Sequence, residues 1–143
     1  MSGLLGVLVR ATRAERVLEI GAGTGASGLE MAAALPPRGR LLTLEQDHAA
    51  GLQARAAFSA AGLDQRVTVL IGDAARYLHK IAGPFDFILQ DSEPSQYSAL
   101  HDKLVPLLCA GGLLVTRRLA AAGDYNKWLD ADAPTHHGFS ESR

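Results

Sequence analysis

The sequence predicts one α/β domain built on a doubly wound, mostly parallel sheet. Three observations lead there. Five short apolar runs recur along the 143 residues. Each reads as a continuous stretch rather than an alternating one, as strands buried on both faces do. Helix-length segments separate the runs, and strands alternating with helices imply βαβ units and a parallel sheet. The first run, Val17-Leu18-Glu19-Ile20, passes at once into a glycine-rich turn and then into a helix-compatible segment.

In chain order, residues 2–12 form one leading helix. The first strand is Arg16–Ile20, and the turn Gly21-Ala22-Gly23-Thr24-Gly25 opens a helix over 26–35. The second strand, Arg40–Glu45, ends in an acid. Ala54, Phe58 and Ala61 then repeat at i, i+4 and i+7, giving one buried helical stripe. Residues 66–71 form the third strand and Phe85–Gln90 the fourth. Tyr97, Leu100, Leu104 and Leu107 line the last crossover helix. Gly62, Gly83 and Gly111-Gly112 stand where helices stop. The fifth strand is 113–117. A short helix over 119–130 and an irregular tail over 131–143 complete a single domain, with no repeat and no linker.

Composition narrows the function. A hydrophobic content of 48% gives a real core, and a formal net charge of −1 with scattered signs offers nucleic acid no basic patch. The one cysteine, Cys109, excludes an internal disulfide and reads as a buried structural thiol at an apolar helix end. No apolar run reaches membrane-spanning length, and the start lacks the marks of a signal peptide, so the expected compartment is the cytoplasm, with no membrane partner.

The glycine turn is built to hold a nucleotide-like ligand, because the helix after it offers unpaired N–H groups at its start. Gly23-Thr24-Gly25-Ala26-Ser27-Gly28 fits the dinucleotide pattern G-x-G-x-x-G. Two acids point elsewhere. Glu19, just before the turn, repels a pyrophosphate and suits a cationic, amine-bearing ligand. Glu45 lies 20 residues beyond Gly25, where an acid grips ribose hydroxyls. One acid for an amino-acid moiety and one for a ribose suggest S-adenosylmethionine.

With these pieces in place, the chain resembles the class I S-adenosylmethionine-dependent O-methyltransferases of the catechol and caffeoyl-CoA type. The matching residues are Val17-Leu18-Glu19-Ile20-Gly21, Gly39-Arg40-Leu41-Leu42-Thr43-Leu44-Glu45, Ala54-Arg55 with Phe58 and Ala61-Gly62-Leu63, Gly72-Asp73-Ala74, Phe85-Asp86-Phe87-Ile88-Leu89-Gln90-Asp91 with Tyr97, and Pro106-Leu107-Leu108 with Gly111-Gly112. They run in order over about four-fifths of the chain. The resemblance implies a Rossmann-like sheet of order 3-2-1-4-5. It implies that Glu19, Gly21, Ala22, Gly23, Thr24 and Gly25 surround the methionine part of the cofactor, with Ser27 at its carboxylate. Glu45 would hold the ribose hydroxyls and Asp73 and Ala74 would meet the adenine, with Gln46 and Gly72 also in the cofactor-binding set. Asp91 would face the methyl-transfer centre as the catalytic residue, and Tyr97 would complete the cofactor-binding set. Alone, Asp73 reads equally as a helix N-cap, Asp47 reads as an N-cap in preference to a ligand, and Glu45 could be a solvated strand end.

The chain also departs from the family. The resemblance implies a divalent metal held by the aspartate at Asp91 and by an Asp-Asn pair after strand 5, and a lysine three residues past the aspartate. Here the pair falls on Arg117-Arg118 and the lysine on Pro94. Cations do not ligate Mg²⁺, which takes hard oxygen donors, so a divalent metal is not expected. Glu93 reads as a general base with Asp91 or as a cap before Pro94. Arg117-Arg118 read as an anion-binding pair or, in preference, as a solvated strand end. His48, His79 and His101 read as solvated, and His136-His137 lack a third ligand. Family members carry more helices before strand 1 and an antiparallel hairpin beside strand 5. Strand 5 would then be an exposed edge, covered by another chain such as a homodimer partner or by the tail folding back, or left bare in a truncated relative. The leading expectation is a metal-free methyltransferase for a small-molecule hydroxyl. The alternatives are a non-catalytic cofactor-binding protein and an NAD-binding domain.

Overall fold

The computed structural model describes residues 3–117. Arg118, the expected helix over 119–130 and the tail with His136 and His137 lie outside the described residues. Within them, α1 (Leu4–Ala11) precedes β1 (Arg16–Ile20), followed by α2 (Ala26–Ala34), β2 (Arg40–Glu45), α3 (His48–Ala60) and β3 (Val67–Ile71). Then come α4 (Ala74–Tyr77), β4 (Phe85–Gln90), α5 (Tyr97–Leu104) and β5 (Leu108–Thr116), with short 3-10 turns at Leu78–Lys80, Pro94–Gln96 and Val105–Leu107.

The strands form one sheet of order β3-β2-β1-β4-β5, and every pairing is parallel. The strand order predicted by the resemblance therefore holds. Side chains alternate across a strand, so neighbouring residues feed opposite layers. Val17, Leu41, Val69, Phe87 and Leu89 pack with α1, α2 and α3 in one apolar core. Leu18, Ile20, Leu44 and Ile88 pack with α4 and α5 in the other, where Leu78, Leu100 and Leu104 close the layer. Burial on both faces explains why the strands read as continuous apolar runs.

The expected N-cap at Asp47 is present. Its Oδ1 accepts the Ala50 N–H at 2.7 Å and starts α3. Asp47→Ala is expected to cost about 1 kcal/mol, read as a lower urea midpoint with unchanged slope.

Three readings need correction. The fifth strand begins at Leu108, not at Leu113. Leu108 pairs with Phe85, yet the next paired residue, Leu113, meets Phe87, so Cys109, Ala110, Gly111 and Gly112 bulge opposite Asp86 alone. Gly111, with φ +79°, turns the chain inside this bulge instead of stopping a helix. Cys109 consequently lies in the bulged strand, half-buried, with its thiol 3.5 Å from Asp86 Oδ1, and is not a buried thiol at a helix end. Among the described residues the outer side of β5 pairs with no other strand. At the opposite edge the Arg55 guanidinium donates to the Val69 carbonyl of β3 at 2.9 Å, which blunts that edge.

Candidate functional site

In this strand order the chain runs outward from β1 to β3 on one side and from β4 to β5 on the other. The crevice between β1 and β4 is the topological switch point, where open α/β sheets bind ligands beyond the carboxyl ends of the strands. A cavity of about 300 Å³ lies there, within the size range of small-ligand pockets. The strand ends supply Ile20, Leu44 and Glu45, and the turn supplies Gly21, Ala22, Gly23 and Thr24, with Ala26 and Ser27 from the start of α2. Gln46, Gly72 and Ala74 form one wall, and Asp91, Ser92, Glu93, Gln96 and Arg117 form the other.

Main-chain bonds continue the sheet ladder past the strands and fix this floor. Gly21 and Ala22 N–H both donate to Leu44 O, at 2.8 and 3.1 Å. Gly72 N–H reaches Glu45 O and Asp91 N–H reaches Ile20 O, each at 2.8 Å. The Glu45 carboxylate then ties three segments together. Its Oε2 accepts the Gly23 N–H at 2.7 Å and its Oε1 accepts the Asp47 N–H at 2.8 Å. Glu45 is therefore a held acceptor at the end of β2 and not a solvated strand end.

Of the residues expected at the cofactor, ten line this cavity, and Glu19, Gly25, Asp73 and Tyr97 do not. Glu19 is fully buried beneath the turn. Strand parity explains this: Glu19 shares a face with Val17, toward α2 and α3, and its register partner on β2 is Thr43. Thr43 Oγ1 donates to Glu19 Oε2 at 2.6 Å, and Ser27 Oγ donates to Oε1. Burial pushes the Glu19 carboxyl up to about 7, against the two hydroxyl bonds, and the Asp91 charge adds to the rise. Glu19 reaches the cavity only through Ser27.

Gly25, with φ +101°, is the N-cap of α2. Asp73 is the N-cap of α4, its Oδ1 accepting the Ala75 N–H at 2.9 Å. Tyr97 starts α5, and its hydroxyl donates to the Arg117 carbonyl. This bond holds the backbone beside Asp91. His48, His79 and His101 are exposed, as expected. Glu93 sits at the N-cap position before Pro94 without a side-chain cap bond, and it is exposed at the cavity rim.

Arg117 departs from the favoured sequence reading of a solvated strand end. Gln90 pairs with Thr116, so the next residue on each strand comes level, and these are Asp91 and Arg117. Arg117 Nε and Nη2 both donate to Asp91 Oδ2, at 3.1 and 2.5 Å. The bond to Asp91 is the main cause of the upward shift of the Arg117 pKa, so the guanidinium stays charged. The Asp91 oxygen facing Arg117 therefore already holds a guanidinium. Among the described residues no group of three His, Cys, Asp or Glu side chains could hold a metal. Ser92 and Gln96 were invisible in the sequence, because the segment after β4 has no apolar period; Gln96 Nε2 spans to Gln46 Oε1 at 3.4 Å.

Fold and site together define a doubly wound α/β protein with a cavity at its switch point. Residues 2–134 match the O-methyltransferase family model, and the chain belongs to that family. It is 33% identical over 123 residues to a catechol O-methyltransferase of Niastella koreensis, covering 83% of this chain and 56% of the relative. The O-methyltransferase TomG of Streptomyces achromogenes, solved in complex with S-adenosylmethionine, superposes with a TM-score of 0.80 at 29% identity, over 92% of this chain and 59% of that one. The O-methyltransferase of Bacillus cereus, solved with S-adenosylhomocysteine, does so at 0.75 and 31% identity, over 78% and 53%. The chain spans about half the length of the curated relatives it matches. Among the described residues no helix is long and apolar enough to cross a membrane.

Proposed function

We propose that this chain binds S-adenosylmethionine at the switch-point cavity and serves O-methylation of a small molecule, with no divalent metal at Asp91. The observation that carries the reading is the Glu45 carboxylate, fastened to the glycine turn through Gly23 and to the start of α3 through Asp47. It presents a fixed acceptor pair where ribose hydroxyls bind in such folds. The bound cofactor supplies an electrophilic methyl group on a sulfonium. The chain's own part is positioning, which by itself accounts for much of such a barrier. Gly21, Gly23 and Thr24 let the ligand lie against the main chain, Glu45 orients the ribose, and Asp91 with Arg117 faces the acceptor end. Two of the solved relatives above hold the cofactor or its demethylated product, which supports the assignment.

Calorimetric titration with S-adenosylhomocysteine, with and without Mg²⁺ and with NADH as control, tests it. The expected Kd is on the order of micromolar, insensitive to Mg²⁺, with no NADH binding. Glu45→Gln should weaken binding at least about tenfold, because a charged acceptor is worth about 1.5–3 kcal/mol more than its absence. No binding at millimolar ligand would sink the proposal.

A further inference from the structure

Arg117 has no contact with the cofactor in the reading above, although it lines the same cavity. It lines the cavity, its side chain is 46% exposed, and Nε and Nη2 are anchored on Asp91 Oδ2. Its backbone is pinned as well, by its own N–H on Gln90 O at 3.0 Å and by the Tyr97 hydroxyl on its carbonyl. A guanidinium carries five donors in a rigid fork, and Nη1 makes no hydrogen bond among the described residues. The result is a fixed cation at the rim with donors to spare.

Resting on the cofactor reading above, we propose that Arg117 receives an acceptor carboxylate and that the product is a methyl ester. A neutral hydroxyl must shed a proton in the transfer, and Asp91 Oδ2 already accepts two N–H groups from Arg117. A carboxylate is ionised at neutral pH and needs no base. Its oxygen lone pair forms the new C–O bond while the C–S bond of the sulfonium breaks and leaves its electron pair on sulfur. One positive and one negative charge become two neutral products, and no proton moves. Charge-assisted N⁺–H···O⁻ bonds from the fork hold the acceptor. Glu93, exposed on the same rim, is screened by water.

The full chain saturated with S-adenosylhomocysteine is titrated with benzoate and with benzamide, its neutral isostere. Benzoate is expected to bind at least about tenfold more tightly, and Arg117→Gln is expected to abolish that preference. Equal binding of the two, no benzoate binding at tens of millimolar, or a preference that survives in Arg117→Gln overturns the proposal. The comparison on the unmodified chain decides even where the variant does not fold. Failure of S-adenosylhomocysteine itself to bind overturns the cofactor reading instead, and is seen before benzoate is added.

Discussion

Gly21→Ala is expected to cost on the order of 3–5 kcal/mol and to empty the cavity of ligand, the range reserved for overpacking and strain at a special backbone conformation. Two causes act together. Gly21 has φ +93°, a region that side chains rarely adopt. An added Cβ would also lie 2.3 Å from the Asp91 carbonyl oxygen and 2.8 Å from its carbon. Those are main-chain atoms, so no rotamer change relieves the contact. Backbone movement is blocked too, because Gly21 N–H is tied to Leu44 O and Asp91 N–H to Ile20 O, each at 2.8 Å. Relief means parting β1 from the loop after β4, which is the switch point itself. Gly23→Ala isolates the two causes. Gly23 also has positive φ, at +53°, but an added Cβ meets nothing within 4 Å. It should cost only about 1–2 kcal/mol, the left-handed penalty alone. Urea unfolding of the three chains measures the difference. Equal losses in the two variants would show that the close approach of Gly21 to Asp91 does not exist.

The sheet was legible because its strands are apolar on both faces, and the strand order followed from the family resemblance. The turn, Glu45 and Asp91 were legible because strand ends at a switch point are where chemistry concentrates. What escaped reading depends on parity and register. Glu19 stands at the end of an apolar run, which suggested a ligand contact. Its parity with Val17 turns it to the other layer, where Thr43 and Ser27 wait for it. Arg117 looked solvated because its partner, Asp91, is 26 residues away and comes level only through the β4–β5 register. The bulge at Cys109 was hidden because Gly111-Gly112 after an apolar helix end signals a stop as readily as a strand irregularity.

Glu19→Gln is expected to remove a pH dependence that the unmodified chain carries. The Glu19 carboxyl rises from 4.5 to about 7 on folding, chiefly by burial. Between those values the folded chain holds a proton that the unfolded chain has released, so stability falls as pH rises. The contribution is complete below pH 4.5 and lost above about 7, and at about 1.4 kcal/mol per unit it amounts to roughly 3 kcal/mol. Glutamine keeps the shape without the charge. Its carbonyl accepts one hydroxyl and its amide donates to the other, since the Ser27 and Thr43 hydroxyls can rotate. The variant should match the unmodified chain within about 1 kcal/mol at pH 5 and exceed it by about 2–3 kcal/mol at pH 8. Urea unfolding of both chains at the two pH values reads Glu19 together with the Asp91 and Arg117 charges coupled to it, because the uncoupled groups cancel in the comparison. Equal pH losses in the two chains would mean that Glu19 titrates as an ordinary carboxyl. A buried acid that lowers stability at neutral pH is a cost that sites carry for function. On the proposed cofactor reading, the cationic ligand above it favours the ionised form. Its affinity should therefore rise between pH 6 and 8 in the unmodified chain and stay flat in Glu19→Gln, which joins the stability cost to the site it serves.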